Sequence, residues 1–178
     1  MSDDHWMTIS RIALISSSLI VLITFGAGAA CAAESASDVD KAFVAKVSQG
    51  GMYEVALGKV AEDRGAEQDI KDQGNTEAHD HELVGAKLKS ICESAGLPFP
   101  SELNAEFKAR LDKISALSGA KFDAAYVEDM KKIHAADGAA FLKESKDGTN
   151  TDLKAFAAET YNIVQRHIGE LNAKTRPQ

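Results

Sequence analysis

Residues 126–137 read Tyr-Val-Glu-Asp-Met-Lys-Lys-Ile-His-Ala-Ala-Asp. At 3.6 residues per turn, Val127, Met130, His134 and, two turns further on, Phe141 share one face, while the Lys and Glu residues fall on solvated faces. This spacing predicts a long amphipathic helix with an imidazole at the centre of its apolar stripe. Burying a polar group without a partner is unfavourable, so His134 needs company. Working outward, three other segments show the same interruption. The stripe Phe43, Val47, Gly50, Glu54, Leu57, Ala61 is broken by Glu54. The stripe Ile70, Gly74, Glu77, His81, Val84, Leu88, Ile91 is broken by Glu77 and His81, one turn apart. The stripe Leu153, Phe156, Thr160, Val164, His167, Leu171 is broken by His167.

Helix boundaries follow from punctuation. Prolines occur only at 98, 100 and 177, so residues 34–97 and 101–176 lack the strongest helix breaker. Ser37 with Asp40 forms a capping-box pattern, and Gly65 stops a first helix near Arg64. A second helix runs over residues 66–95 and ends at Gly96, with Gly74 and Asn75 marking a frayed or kinked upstream half. Ser101 is the expected cap of a short third helix over 101–117, whose stripe of Leu103, Phe107, Leu111, Ile114 and Leu117 has no polar intruder. The fourth helix spans 121–146, and one of Thr149, Asn150 or Thr151 caps a fifth over 150–173. Glu54, His81, His134 and His167 all lie near the middle of their helices. Side-by-side packing, parallel or antiparallel, therefore brings them to one level.

The 178-residue chain is 44% hydrophobic but only 6% aromatic, which favours helix over sheet. The net charge is −7; Asp3 and Asp4 against Arg11 place −1 in the first 33 residues, leaving −6 interleaved along the rest. No concentrated basic face exists, which argues against nucleic-acid binding. Residues 12–25 are a nearly unbroken apolar run, followed by the small-residue stretch 26–33. This is the pattern of a cleaved signal peptide over 1–33, leaving a single domain over 34–178 exported to the periplasm or outer membrane. The acidic residues before Arg11 are unusual, and a start at Met7 gives a more ordinary leader. Two alternatives compete: an uncleaved membrane anchor, and a lipid-modified Cys31, which Ala29 and Ala30 suit but Gly28 opposes. Cys92 is the remaining thiol and reads as a small core residue.

Several of these pieces together resemble a bacterial envelope family, domain of unknown function family 4142. They are Tyr53-Glu54 with Leu57-Gly58; Asp80-His81 with Leu88; Leu117-Ser118-Gly119 followed by Phe122-Asp123 and Tyr126; then His134, Phe156-Ala157 and His167. The resemblance covers about residues 38–171 and departs at Glu77 and Gly85. It implies a ferritin-like four-helix bundle with one additional short helix, in the cell envelope. It implies no established activity.

Glu54, His81, His134 and His167 form the expected metal set, three imidazoles and a carboxylate, suited to a divalent transition metal such as zinc, copper or iron. The alternative is a buried hydrogen-bond network that only fixes helix register. A di-iron oxidase is disfavoured, because residues 78, 131 and 164, three before each histidine, are Ala78, Lys131 and Val164 rather than Glu. A redox enzyme would need a further carboxylate such as Glu77 in the layer. Asp123 reads as a first-turn acid for its own helix, Tyr126 as a tyrosine running from core to surface, and His79 as solvated.

Overall fold

Ser37 opens the first helix as the pattern predicts. Its hydroxyl accepts from the Asp40 amide (3.2 Å), while the Asp40 carboxylate accepts from the Ser37 amide (2.5 Å). The structure is a computed structural model describing residues 36–174; the leader, His5 and Cys31 lie outside the described residues. Five helices follow in order: α1 (Asp38–Arg64), α2 (Gln68–Ala95), α3 (Ala105–Ser115), α4 (Gly119–Asp147) and α5 (Thr151–Ala173). Among the described residues there is no strand. No helix among them is long and apolar enough to cross a membrane.

The short links after α1 and α4 turn each pair back on itself. Contacts such as Tyr53–Asp129 and Asp40–Thr149 run α1 antiparallel to α4, and Lys87–Glu159 with Asp80–His167 runs α2 antiparallel to α5. The connection carrying α3 is the one long crossover, as in ferritin-like bundles. Two apolar clusters fill the bundle. One gathers Tyr53, Leu57, Phe122, Tyr126, Met130 and Leu171; the other gathers Phe43, Val47, Leu88, Phe141, Phe156 and Val164. Between them in sequence register on every long helix sits the polar layer.

Three local expectations change. Asn104, not Ser101, caps α3, accepting from the Phe107 amide at 2.9 Å. Gln49 holds the preceding segment extended: its amide nitrogen donates to Glu102 O and its oxygen accepts from the Asn104 amide. α2 begins at Gln68 and runs through Gly74 and Asn75 without a break. Gly74 is there for close approach: a Cβ on it would lie 2.6 Å from Gly58 O and 2.5 Å from Glu62 N. Asp123 serves a different helix from its own, since its carboxylate accepts from the Ala66 and Glu67 amides at 2.9 and 3.0 Å. Those amides lie at the N-cap of α2 and one residue before it, where no backbone acceptor within the helix serves them.

Candidate metal centre

Halfway along the bundle, α1 contributes Glu54, α2 contributes Glu77 and His81, α4 contributes His134 and α5 contributes His167. All five are buried. Glu77 and His81 reach one spot because residues four apart on a helix lie one above the other. The three imidazole rings meet edge to face, with centroids 5.2–5.5 Å apart.

The decisive detail is which ring nitrogen points where. Nδ1 of His134 donates to the Met130 carbonyl at 2.8 Å. Nε2 of His167 lies 2.9 Å from Asp80 Oδ2, and Nδ1 of His81 lies 3.2 Å from Glu54 Oε2. Each ring thus has an acceptor on its outer nitrogen, and a neutral imidazole has a single N–H to give. Satisfying these acceptors leaves lone pairs on His81 Nε2, His134 Nε2 and His167 Nδ1. These three nitrogens and a carboxylate oxygen of Glu77 lie within 4.8 Å of one another. The two lone pairs of His134 and His167 face each other across 3.1 Å. Glu77 Oε2 stands 3.4, 3.2 and 2.9 Å from the inner nitrogens of His81, His134 and His167. Such a cage of acceptors needs positive charge in it, as protons or as a cation.

Electrostatics agree. Burial alone would push the Glu77 carboxyl up, but contacts with the three histidines outweigh it and hold the group far below the usual carboxylate range. Burial would lower His134, yet Glu54 and Glu77 together push it up to about 9. His167 is likewise raised against burial, through Glu77 and Asp80. Without a cation His134 and His167 therefore favour their protonated forms.

The cage also fits a metal ion. Bonds of about 2.0–2.1 Å to a tetrahedral zinc-like ion require ligand atoms roughly 3.3 Å apart. Four edges of this group measure 2.9–3.4 Å. The outer contacts are of the kind that orient metal-bound histidines: carboxylate for His81 and His167, backbone carbonyl for His134. Gln73 Nε2 donates to Glu77 Oε1 at 2.9 Å, which leaves Oε2 to the imidazoles. Glu77 Oε2 and His81 Nε2 are otherwise buried without a hydrogen-bond partner.

The sequence brought Glu54, His81, His134 and His167 to one layer, and the structure places all four there. Glu54 sits on the outer edge, 3.2 and 3.5 Å from Nδ1 of His81 and His134. Glu77 occupies the fourth inner corner. The sequence signal for it was the four-residue spacing to His81 on an apolar stripe. Asp80 and Met130 O, which the stripes did not single out as histidine partners, hold the outer nitrogens. Asp80 is in turn engaged by Arg166. Asp137, one turn after His134, is also buried; burial and the nearby Glu54 charge push its carboxyl up. Tyr126 is wholly buried rather than reaching the surface, and its hydroxyl has no hydrogen-bond partner. His79 is exposed and apart from the cage.

The fold and layer define the class: an all-α, four-helix bundle with a buried histidine–carboxylate cage. The chain belongs to the family described as Domain of unknown function (DUF4142), whose model matches residues 26–173. No curated protein matches the sequence. Among solved structures, the bundle is similar to one described as the crystal structure of a DUF305 fragment from Deinococcus radiodurans. The TM-score is 0.69 at 12% identity, covering 79% of this chain and 97% of that one. At that identity the likeness concerns the fold alone.

Proposed function

We propose that this chain is an exported envelope protein that binds one divalent transition metal ion in the centre of its bundle. His81 Nε2, His134 Nε2, His167 Nδ1 and Glu77 are the ligands, and Glu54, the Met130 carbonyl and Asp80 hold the rings from outside. The observation that carries the reading is the set of three inward lone pairs and one carboxylate oxygen, four of whose six separations match a tetrahedral ion and all of which lie within 4.8 Å, with every outer nitrogen already engaged. Three nitrogens and one oxygen suit zinc, copper(II) or iron(II), with copper(II) favoured on affinity alone. Export rests on the apolar run 12–25 and the small residues 26–33. Mass spectrometry of the mature N-terminus separates cleavage near residue 33 from lipid modification at Cys31.

Thermal melts test the metal reading. A cation that binds only the folded state stabilises it by about 2.7 kcal/mol at a hundredfold excess over Kd, and so raises Tm. Wild type should gain with Zn²⁺ or Cu²⁺ at neutral pH, and less near about pH 5, where protons compete for the imidazoles. His134→Ala should lose most of the gain, and His79→Ala should keep it. Identical responses of wild type and His134→Ala to every metal tried would leave the cage as a proton-bridged device for helix register.

A further inference from the structure

Of the four residues forming the inner cage, Glu77, His134 and His167 have no exposed surface, whereas His81 keeps 3%. His81 also lines a groove between α1 and α2 of about 360 Å³, large enough for a small organic molecule. Its walls are mostly apolar, with Val47, Val55, Val84, Leu88, Phe99 and Phe141, and the charged Glu82 and Lys89 also line it beside His81. Two glycines keep it open. A Cβ on Gly51 or on Gly85 would meet nothing within 4 Å. Gly85 lies one turn after His81, and helical side chains lean toward the preceding turn. Any larger residue at 85 would therefore lie over the flank of His81. Apolar walls disfavour any ion that must shed its water. The carboxylates of Glu54 and Glu77 beside the His81 ring repel anions in particular.

We propose that this groove takes up a small, neutral, apolar molecule and holds it against the His81 edge of the cage, as the route by which an outside ligand adds to the metal as a fifth donor beside the four protein ligands. The groove is a feature of the protein itself, while its role at the centre rests on the metal-binding reading above.

Two measurements test it on the purified chain, each with wild type, Gly85→Ala and Gly85→Leu. In the metal-free protein, xenon is the probe and the His81 ring resonances are the readout. Saturable shifts are expected in wild type and Gly85→Ala and should fall about tenfold in Gly85→Leu, whose side chain fills the groove. In the iron(II)-loaded protein, nitric oxide is the neutral probe and azide the anionic one. Nitric oxide should bind wild type, with its spectroscopic signal appearing about tenfold more slowly in Gly85→Leu at unchanged iron affinity; azide should bind poorly to both. Xenon that leaves His81 unmoved, an equal xenon response in Gly85→Leu, equal nitric oxide rates, or azide binding as readily as nitric oxide overturns the proposal. A chain that binds no metal at all defeats the metal reading and the groove's role at the centre together. The xenon experiment then still decides whether the groove binds an apolar molecule.

Discussion

Glu144 offers the sharpest test of the electrostatics, because it lies far from the cage and carries a proton where a carboxyl normally would not. It is wholly buried at the C-terminal end of α4, and no N–H or conventional O–H donor reaches either oxygen. Its partner is Asp40, whose carboxylate already accepts from the Ser37 amide and hydroxyl, the Thr149 amide and hydroxyl, and the Asn150 amide. Burial would raise Asp40, but hydrogen bonds from Glu144, Thr149 and Ser37 overcome it and hold the group well below its usual range. Burial and the Asp40 charge push Glu144 up to about 8 from 4.5. The shared proton thus resides on Glu144 and ties the start of α1 to the α4–α5 link.

The sign follows from that shift. An acid that binds its proton more tightly when folded contributes fully below pH 4.5, its ordinary value, and loses that contribution as pH rises toward about 8. At about 1.4 kcal/mol per pH unit the ceiling is ~5 kcal/mol. Lys143 and Lys154 stabilise the ionised form in part, and a helix end can open locally. The expected loss is therefore about 2–3 kcal/mol. Glu144→Gln preserves shape and a donor to Asp40 at every pH. In urea titrations from about pH 5.5 to 9.5, wild type should weaken by that amount relative to Glu144→Gln, with m unchanged. At the acid end the two should agree within about 1 kcal/mol. Taking the difference between the proteins removes the histidines and other titrating groups from the comparison. Parallel curves for the two proteins across this range would refute the shared proton.

The cage separates its two glutamates. On the proposed metal reading, Glu77→Gln removes a ligand and should weaken zinc binding by more than about 100-fold, whereas Glu54→Gln disturbs an orienting contact and should cost about 10- to 100-fold, as competition titrations would show. Equal losses would mean that Glu54 and Glu77 share the ligand role. Gly74→Ala must push α1 and α2 apart and should destabilise by about 2–4 kcal/mol, while Gly85→Ala, in open space on the same helix, should be neutral or stabilise by up to about 1 kcal/mol. Thermal melts that rank the pair the other way would contradict the Gly58–Gly74 approach. Asp123→Ala strips the acceptor from the Ala66 and Glu67 amides and should cost about 1–2 kcal/mol, with exchange of those two amides accelerated well beyond their neighbours. Exchange that is uniform along α2 would deny Asp123 its capping role.

How much of this was legible in the sequence depended on distance along the chain. The stripes, the Ser37–Asp40 box and the mid-helix positions of His81, His134 and His167 are local, and the structure agrees with them. Wherever two segments had to be superposed, the local reading lost information. Gly74 looked like a weak point in α2 because its counterpart Gly58 lies 16 residues away on another helix. Asp123 looked like an acid for its own helix because the amides it holds lie in the link leading into α2. Ser101 looked like the cap of α3 because the hydrogen bonds from Gln49 of α1 to Glu102 and Asn104, which fix the segment before the helix, are not local. The two glutamates show the same limit within the layer itself. Glu54 and Glu77 both interrupt apolar stripes, and a stripe tells only that a side chain faces inward. Which carboxylate meets an inner nitrogen is decided by the partners of the outer ones. Those partners, the Met130 carbonyl for His134 and Asp80 for His167, depend on side-chain orientation and on helix packing. A sequence pattern can therefore gather polar groups into a layer, but the division into inner and outer contacts follows from the acceptors around each imidazole.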